Sequence, residues 1–134
     1  MKATELNLIQ LLQKPNVQFV IPVYQRNYDW TKKECEQLFL DTLKVGQEGG
    51  FSSHFIGSIV FIHDSAYSSG ANELTIIDGQ QRLTTITLIW IAIYQKAKKL
   101  KDDKLADMVY RLYLINEFLD DDAKIKLKYA ITLE

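Results

Sequence analysis

Residues 74–94 constrain the fold of this chain more than any other stretch. Leu74-Thr75-Ile76-Ile77 is short, apolar and rich in β-branched residues, which reads as a buried strand. From Leu83 onward a long apolar run continues without Gly or Pro, which reads as a helix. A strand must therefore turn into a helix across Asp78, Gly79 and Gln80. Asp78 suits an N-cap there, and Gly79 lets the backbone approach a neighbour closely. The first amides of the helix, at Gln80, Gln81 and Arg82, then point outward and form an end that attracts anions.

Arg82 sharpens this reading. A cation in the first turn of a helix opposes the macrodipole, an effect of about 0.3–1 kcal/mol, so a negative partner is expected. One candidate is Asp78 itself, four residues back, with Gln81 closing a reciprocal bond of the capping-box type. The other is a phosphate held by the amides and by the guanidinium fork. Both remain open at this point.

A second stretch, Ile21-Pro22-Val23-Tyr24-Gln25-Arg26-Asn27-Tyr28-Asp29-Trp30, packs three aromatics, one arginine and a carboxylate into ten residues with no helical period. Extended or looped backbone is expected, and strict alternation puts Tyr24, Arg26 and Tyr28 on one face. They read either as core and rim packing or as a polar wall with an aromatic platform for a base and Arg26 facing a phosphate.

With 134 residues, 47% of them hydrophobic, the chain suits a single domain over 1–134 with its own core. Its net charge of −1 gives no reason to expect nonspecific duplex binding. The single cysteine, Cys35, excludes an internal disulfide, and the start carries no signal-peptide pattern, so a cytoplasmic setting is the default. The run at 83–94 holds three threonines and falls short of the ~20 residues that span a bilayer, so no membrane partner is expected. The final Leu133-Glu134 resembles a cloning remnant, which suggests an N-terminal piece of a longer protein.

Elsewhere the pattern gives a short helix over 4–13 and a strand over 17–21, and Pro22 limits how far that strand can pair as a central one. Thr31-Lys32-Lys33-Glu34 is a capping box opening a helix with Cys35, Leu38, Phe39, Thr42 and Leu43 on its apolar face. A packed, inert thiol is expected at Cys35. A buried strand lies within 54–62, and the Ser/Gly-rich 64–72 reads as a hairpin loop to the strand before Asp78. His54 and His63 lack metal-ligand spacing. The helix from Gln80 is apolar nearly all round, so it should be the central helix of the core. Asp102-Asp103 opens a further helix with Leu105, Met108, Val109 and Leu112 on one face. Near the end, Ile125, Leu127, Tyr129 and Ile131 alternate with Lys124, Lys126 and Lys128, an edge strand with a charged face.

The segments 21–30 and 77–85, in this order, resemble the N-terminal (GmrS-like) domain of GmrSD-type, modification-dependent restriction enzymes and related phage-defence proteins. The likeness covers residues 6–94. It implies an α+β, ParB/sulfiredoxin-like fold: a small mixed sheet packed against helices, with the central helix at about 80–100. In that fold a G-x-x-R segment at a helix start binds phosphate, here Gly79-Gln80-Gln81-Arg82. The likeness further implies nucleoside triphosphate binding and hydrolysis, GTP included, with Mg²⁺. In full-length members an HNH-type nuclease domain follows, so DNA would be met through that C-terminal region and cleavage by this stretch is not expected. Sulfiredoxin carries its catalytic cysteine where this chain has Gln80, so redox repair is not expected either.

The resulting expectation places the amides of Gly79, Gln80 and Gln81 on the phosphates with Arg82 neutralising them and Arg26 adding charge from the opposite wall. Gln81 or Gln25 would align the attacking water, and Asp78 would hold Mg²⁺ or activate that water, in competition with its capping role. Tyr24, Tyr28 or Trp30 would stack the base. The rival expectation is a nucleotide-sensing or DNA-contacting module that binds phosphate without turnover; self-association is compatible with either.

Overall fold

The structure is a computed structural model and describes residues 8–22, 28–47, 59–63, 72–119 and 121–129. Its strands are β1 (Val17–Ile21), β2 (Val60–His63), β3 (Asn72–Asp78) and β4 (Leu127–Tyr129). They form one mixed sheet in the order β2-β3-β1-β4. The helices are α1 (Leu8–Gln13), α2 (Lys32–Gln47), α3 (Gln80–Lys99) and α4 (Asp103–Val109). The expected α+β class and the helix at 80–100 are both present. Among the described residues no helix is long and apolar enough to cross a membrane.

β2 and β3 pair antiparallel, as a hairpin requires. β1 instead runs parallel to β3, with Val17 opposite Asn72 and Val20 opposite Thr75. Parallel partners finish at the same edge of a sheet, so the chain leaving β1 and the chain leaving β3 emerge side by side. Residues 28–30 and the start of α3 are neighbours for this reason. β1 is central, flanked by β3 and β4, and it stops just before Pro22, the limit expected of that proline. The strand ends at Ile21, so the missing proline N–H falls just beyond the ladder and removes no bond from it.

Phe19, Ile21, Leu74 and Ile76 of the sheet pack with Leu83 and Ile86 of α3, Leu11 and Leu12 of α1, Leu38 of α2 and Tyr113. Each such buried side chain contributes about 1.5–3 kcal/mol, so Leu83 and Ile86 hold the first two turns of α3 firmly on the sheet. Farther along, the Trp90 ring stacks on Tyr113 with centroids 3.8 Å apart, and the Tyr113 hydroxyl accepts a 2.7 Å bond from Gln13 Nε2 of α1. α3 is covered on one side and not all round: Leu88 is 50% exposed.

The α2 face predicted to be buried is mostly open, with only Leu38 in the core and Phe39 and Leu43 exposed. Its capping box forms in altered geometry, the Glu34 carboxylate accepting from both the hydroxyl and the amide of Thr31. Those two donors, the hydroxyl first, hold the Glu34 carboxyl below its usual range. Asp102 does cap α4, accepting from the Leu105 amide at 3.2 Å. The buried side of α4 and the π-helical turn after it (Tyr110–Leu114) is Ala106, Val109 and Tyr113, whereas Leu105, Met108 and Leu112 are exposed.

β4 is an edge strand as expected, but the alternation before it is reversed: Lys126 is buried and Ile125 is 45% exposed. Ile125 bridges Ile115, which turns the next side chain inward toward the end of α1. There Lys126 Nζ donates to the carbonyls of Leu12 at 2.6 Å and Lys14 at 3.1 Å. These carbonyls close a helix C-terminus, where donors are wanted. Burial pushes the Lys126 amine down from its ordinary 10.5 to about 8, and a neutral amine still has two N–H bonds for the two carbonyls.

The folded chain thus releases this proton before the unfolded chain does. Between about 8 and 10.5 the unfolded state binds more protons, so the stability linked to Lys126 rises with pH across that window and is lost as pH falls through 8. Lys126→Met removes the titration. Thermal melts at pH 7.5 and pH 10 should show the wild type gaining on the variant at the higher pH, and an equal gap at both would mean a solvated ammonium.

Candidate functional site

Gly79 occupies the N-cap of α3 in the left-handed region, with φ 97° and ψ 15°. It is buried, and as the N-cap residue it offers no side chain to cap the helix. Asp78 is not the cap. It is held in β3 opposite Val60, so its backbone cannot make the turn, and the reversal falls on the next residue. A residue with a Cβ is penalised in that conformation, which accounts for the glycine. The first intrahelical bond runs from the Leu83 amide to the Gly79 carbonyl at 3.0 Å. The amides of Gln80, Gln81 and Arg82 lie ahead of that ladder. Gln80 Nε2 reaches back to the Ile77 carbonyl at 2.9 Å and braces the turn from its outer side.

Gln81 does not close a capping box. Its Oε1 accepts the backbone amides of Asp29 at 3.0 Å and Trp30 at 3.3 Å, across 52 and 51 residues of sequence. A second tie lies one turn farther along α3. The Thr85 hydroxyl donates to the Gln81 carbonyl at 2.8 Å and lies 2.9 Å from the Tyr28 hydroxyl, which is 3.0 Å from Cys35 Sγ of α2. A carbonyl can only accept, so the Thr85 proton goes to Gln81, Tyr28 donates to Thr85, and the Cys35 thiol donates to Tyr28.

The two stretches singled out in the sequence are therefore joined at the start of α3. Asp78 is exposed, while Gln80, Gln81, Arg82, Tyr28 and Trp30 are half-buried. Trp30 packs against the core cluster. Tyr24, Gln25 and Arg26 lie outside the described residues. Among the described residues no group of three or more His, Cys, Asp or Glu could hold a metal ion. Sequence reasoning assigned no role to Thr85, and it gave Cys35 a packing role without its contact to the Tyr28 hydroxyl. Polar residues inside an apolar helical run were the available signal, since a hydroxyl on such a face needs a partner.

Beyond Thr85, α2, α3 and α4 line an apolar cavity of about 590 Å³, with Cys35, Phe39, Leu88, Ile93 and Leu105 among its walls. It opens next to the Tyr28 contacts, because Cys35 and Thr85 belong to both.

Residues 8–133 match the family described as GmrSD restriction endonuclease, N-terminal domain. The chain belongs to this family. The match extends well past residue 94, through α4 to the end of the sheet. The chain is also 29% identical over 129 residues to the uncharacterized protein MJ0686 of Methanocaldococcus jannaschii, covering 87% of this chain and 21% of that protein. The GmrSD N-terminal domain thus spans about a fifth of the length of the curated relative it matches.

The left-handed glycine yields a direct test. Gly79→Ala should destabilise the domain by about 1–2 kcal/mol, the usual penalty for a Cβ in that region, read as a lower urea midpoint with unchanged slope.

Proposed function

We propose that the start of α3 binds the phosphates of a nucleoside triphosphate and that the domain hydrolyses it, with the rest of a longer restriction or phage-defence protein acting on DNA. The observation that carries this reading is the convergence of the two motif stretches on one helix start, through the bonds from Asp29 and Trp30 to Gln81 and from Tyr28 to Thr85. Membership of the GmrSD restriction endonuclease family supplies the restriction context.

In this reading the amides of Gly79, Gln80 and Gln81 meet phosphate oxygens and the Arg82 guanidinium offsets their charge. Fixed donors of this kind stabilise the charge that spreads over the transferred phosphoryl group. Arg26, two residues before Tyr28, would add a second cation. The Gln81 side-chain oxygen already accepts two amides, which leaves alignment of the attacking water to Gln25 and activation of it to Asp78. Asp78 is exposed and is not the helix cap, so no capping role competes for its carboxylate.

Mg²⁺ suits such a site, because it takes one or two carboxylates together with phosphate oxygens and water. Asp78 would hold it, and the ion would supply charge neutralisation at the phosphates. The bonds on Tyr28 and the packing of Trp30 favour anchoring roles for these two residues, and Tyr24 becomes the candidate to stack the base.

Thermal melts with GTP and with ATP, each with Mg²⁺, test the binding. A ligand at a hundredfold excess over its Kd adds about 2.7 kcal/mol of stability, a rise of several degrees in Tm. Arg82→Ala should weaken binding roughly tenfold to a hundredfold, the range for hydrogen bonds to a charged group. Phosphate release that Asp78→Asn abolishes without loss of binding marks an enzyme, and binding without release marks a sensor. A wild-type Tm unmoved by either nucleotide would sink the reading.

A further inference from the structure

The relay from Cys35 through Tyr28 and Thr85 to the Gln81 carbonyl crosses three elements that are far apart in sequence: α2, the end of the 21–30 stretch, and α3. Its hydroxyls make bonds that packing alone does not require, since Phe at 28 and Val at 85 would fill the same volume. It also meets the same residue, Gln81, whose side chain carries the Asp29 and Trp30 amides. Gln81 is thus gripped at its carbonyl from one side and at its amide group from the other. The side-chain grip depends directly on where the 28–30 backbone lies, and the carbonyl bond, internal to α3, is reached from that segment through the Tyr28 hydroxyl on Thr85.

We infer that Tyr28 and Thr85 are positioning residues for the phosphate seat, a hydroxyl latch that fixes segment 28–30 against the first turn of α3. This inference rests on the nucleotide reading above. In the latched state the Tyr28 hydroxyl donates to Thr85 Oγ1, so segment 28–30 is tied at Thr85 as well as at Gln81 and the Gln81 side chain keeps a single orientation. Without the latch, segment 28–30 keeps its amide bonds to Gln81 but loses its tie to the second turn of α3, and the first turn is held less firmly against it. Cys35 links the latch to α2 and to the apolar cavity beside it, so a shift of α2 would be felt at the seat.

The test uses Tyr28→Phe, Thr85→Val and Thr85→Ser in the full chain, with nucleotide affinity by calorimetry and amide exchange by NMR. Tyr28→Phe and Thr85→Val should each weaken GTP or ATP affinity roughly two- to tenfold, the factor for one neutral hydrogen bond. Exchange at Asp29 and Trp30 should speed up while exchange in the sheet stays as in the wild type. Thr85→Ser keeps the hydroxyl and should restore both readouts. The double variant should be no weaker than the worse single one, because the two residues share one bond. Exchange at 29 and 30 equal to the wild type, unchanged affinity in the single variants, or losses that multiply in the double variant would each overturn the latch. A wild-type chain that takes no nucleotide is a different result, read without any variant; it removes the nucleotide reading and this inference with it.

Discussion

The parallel pairing of β1 with β3 is the constraint on which the candidate site depends. Neither strand carries the site residues in its middle; both deliver them from the same edge of the sheet. An antiparallel partner for β3 in that place would send the 21–30 stretch out at the far edge, a strand length away from α3. The pairing is secured by apolar burial, with Phe19 and Ile76 almost wholly shielded and Leu83 bringing α3 onto the same cluster. Burial of nonpolar area thus sets the position of polar groups that contribute little to the core themselves.

Backbone conformation then does what side-chain chemistry was expected to do. The sequence places an aspartate where a helix cap would be useful, yet β3 pairing retains it and the glycine makes the turn. The anion-attracting end is left to main-chain amides, while the neighbouring polar side chains brace the approach: Gln80 back to the Ile77 carbonyl, Gln81 across to Asp29 and Trp30.

Much of this was legible in the residues. The hairpin of β2 and β3, the abrupt passage from β3 into α3 and the opening of α4 at Asp102 all rest on local periodicity and capping, which a single sequence displays directly. The meeting of the two motif stretches was legible only as a resemblance, because parallel register joins residues more than fifty positions apart. Lys126 shows the same limit from the other direction. Alternation of lysines with apolar residues reads as a solvated face, and only the position of the α1 carbonyls makes the interior the better place for one of them. The open apolar face of α2 was likewise hidden, since periodicity tells which side is greasy but not whether anything covers it.

The span of 52 residues between Asp29 and Gln81 also has a kinetic meaning. Loop closure over such a distance is costly until the strands between have aligned, so these bonds belong to the late, slow part of assembly. A collapsed intermediate can own a complete α3 and still lack the other half of the pocket. The proposed nucleotide would therefore bind finished molecules only, and would pull a stalled population toward completion.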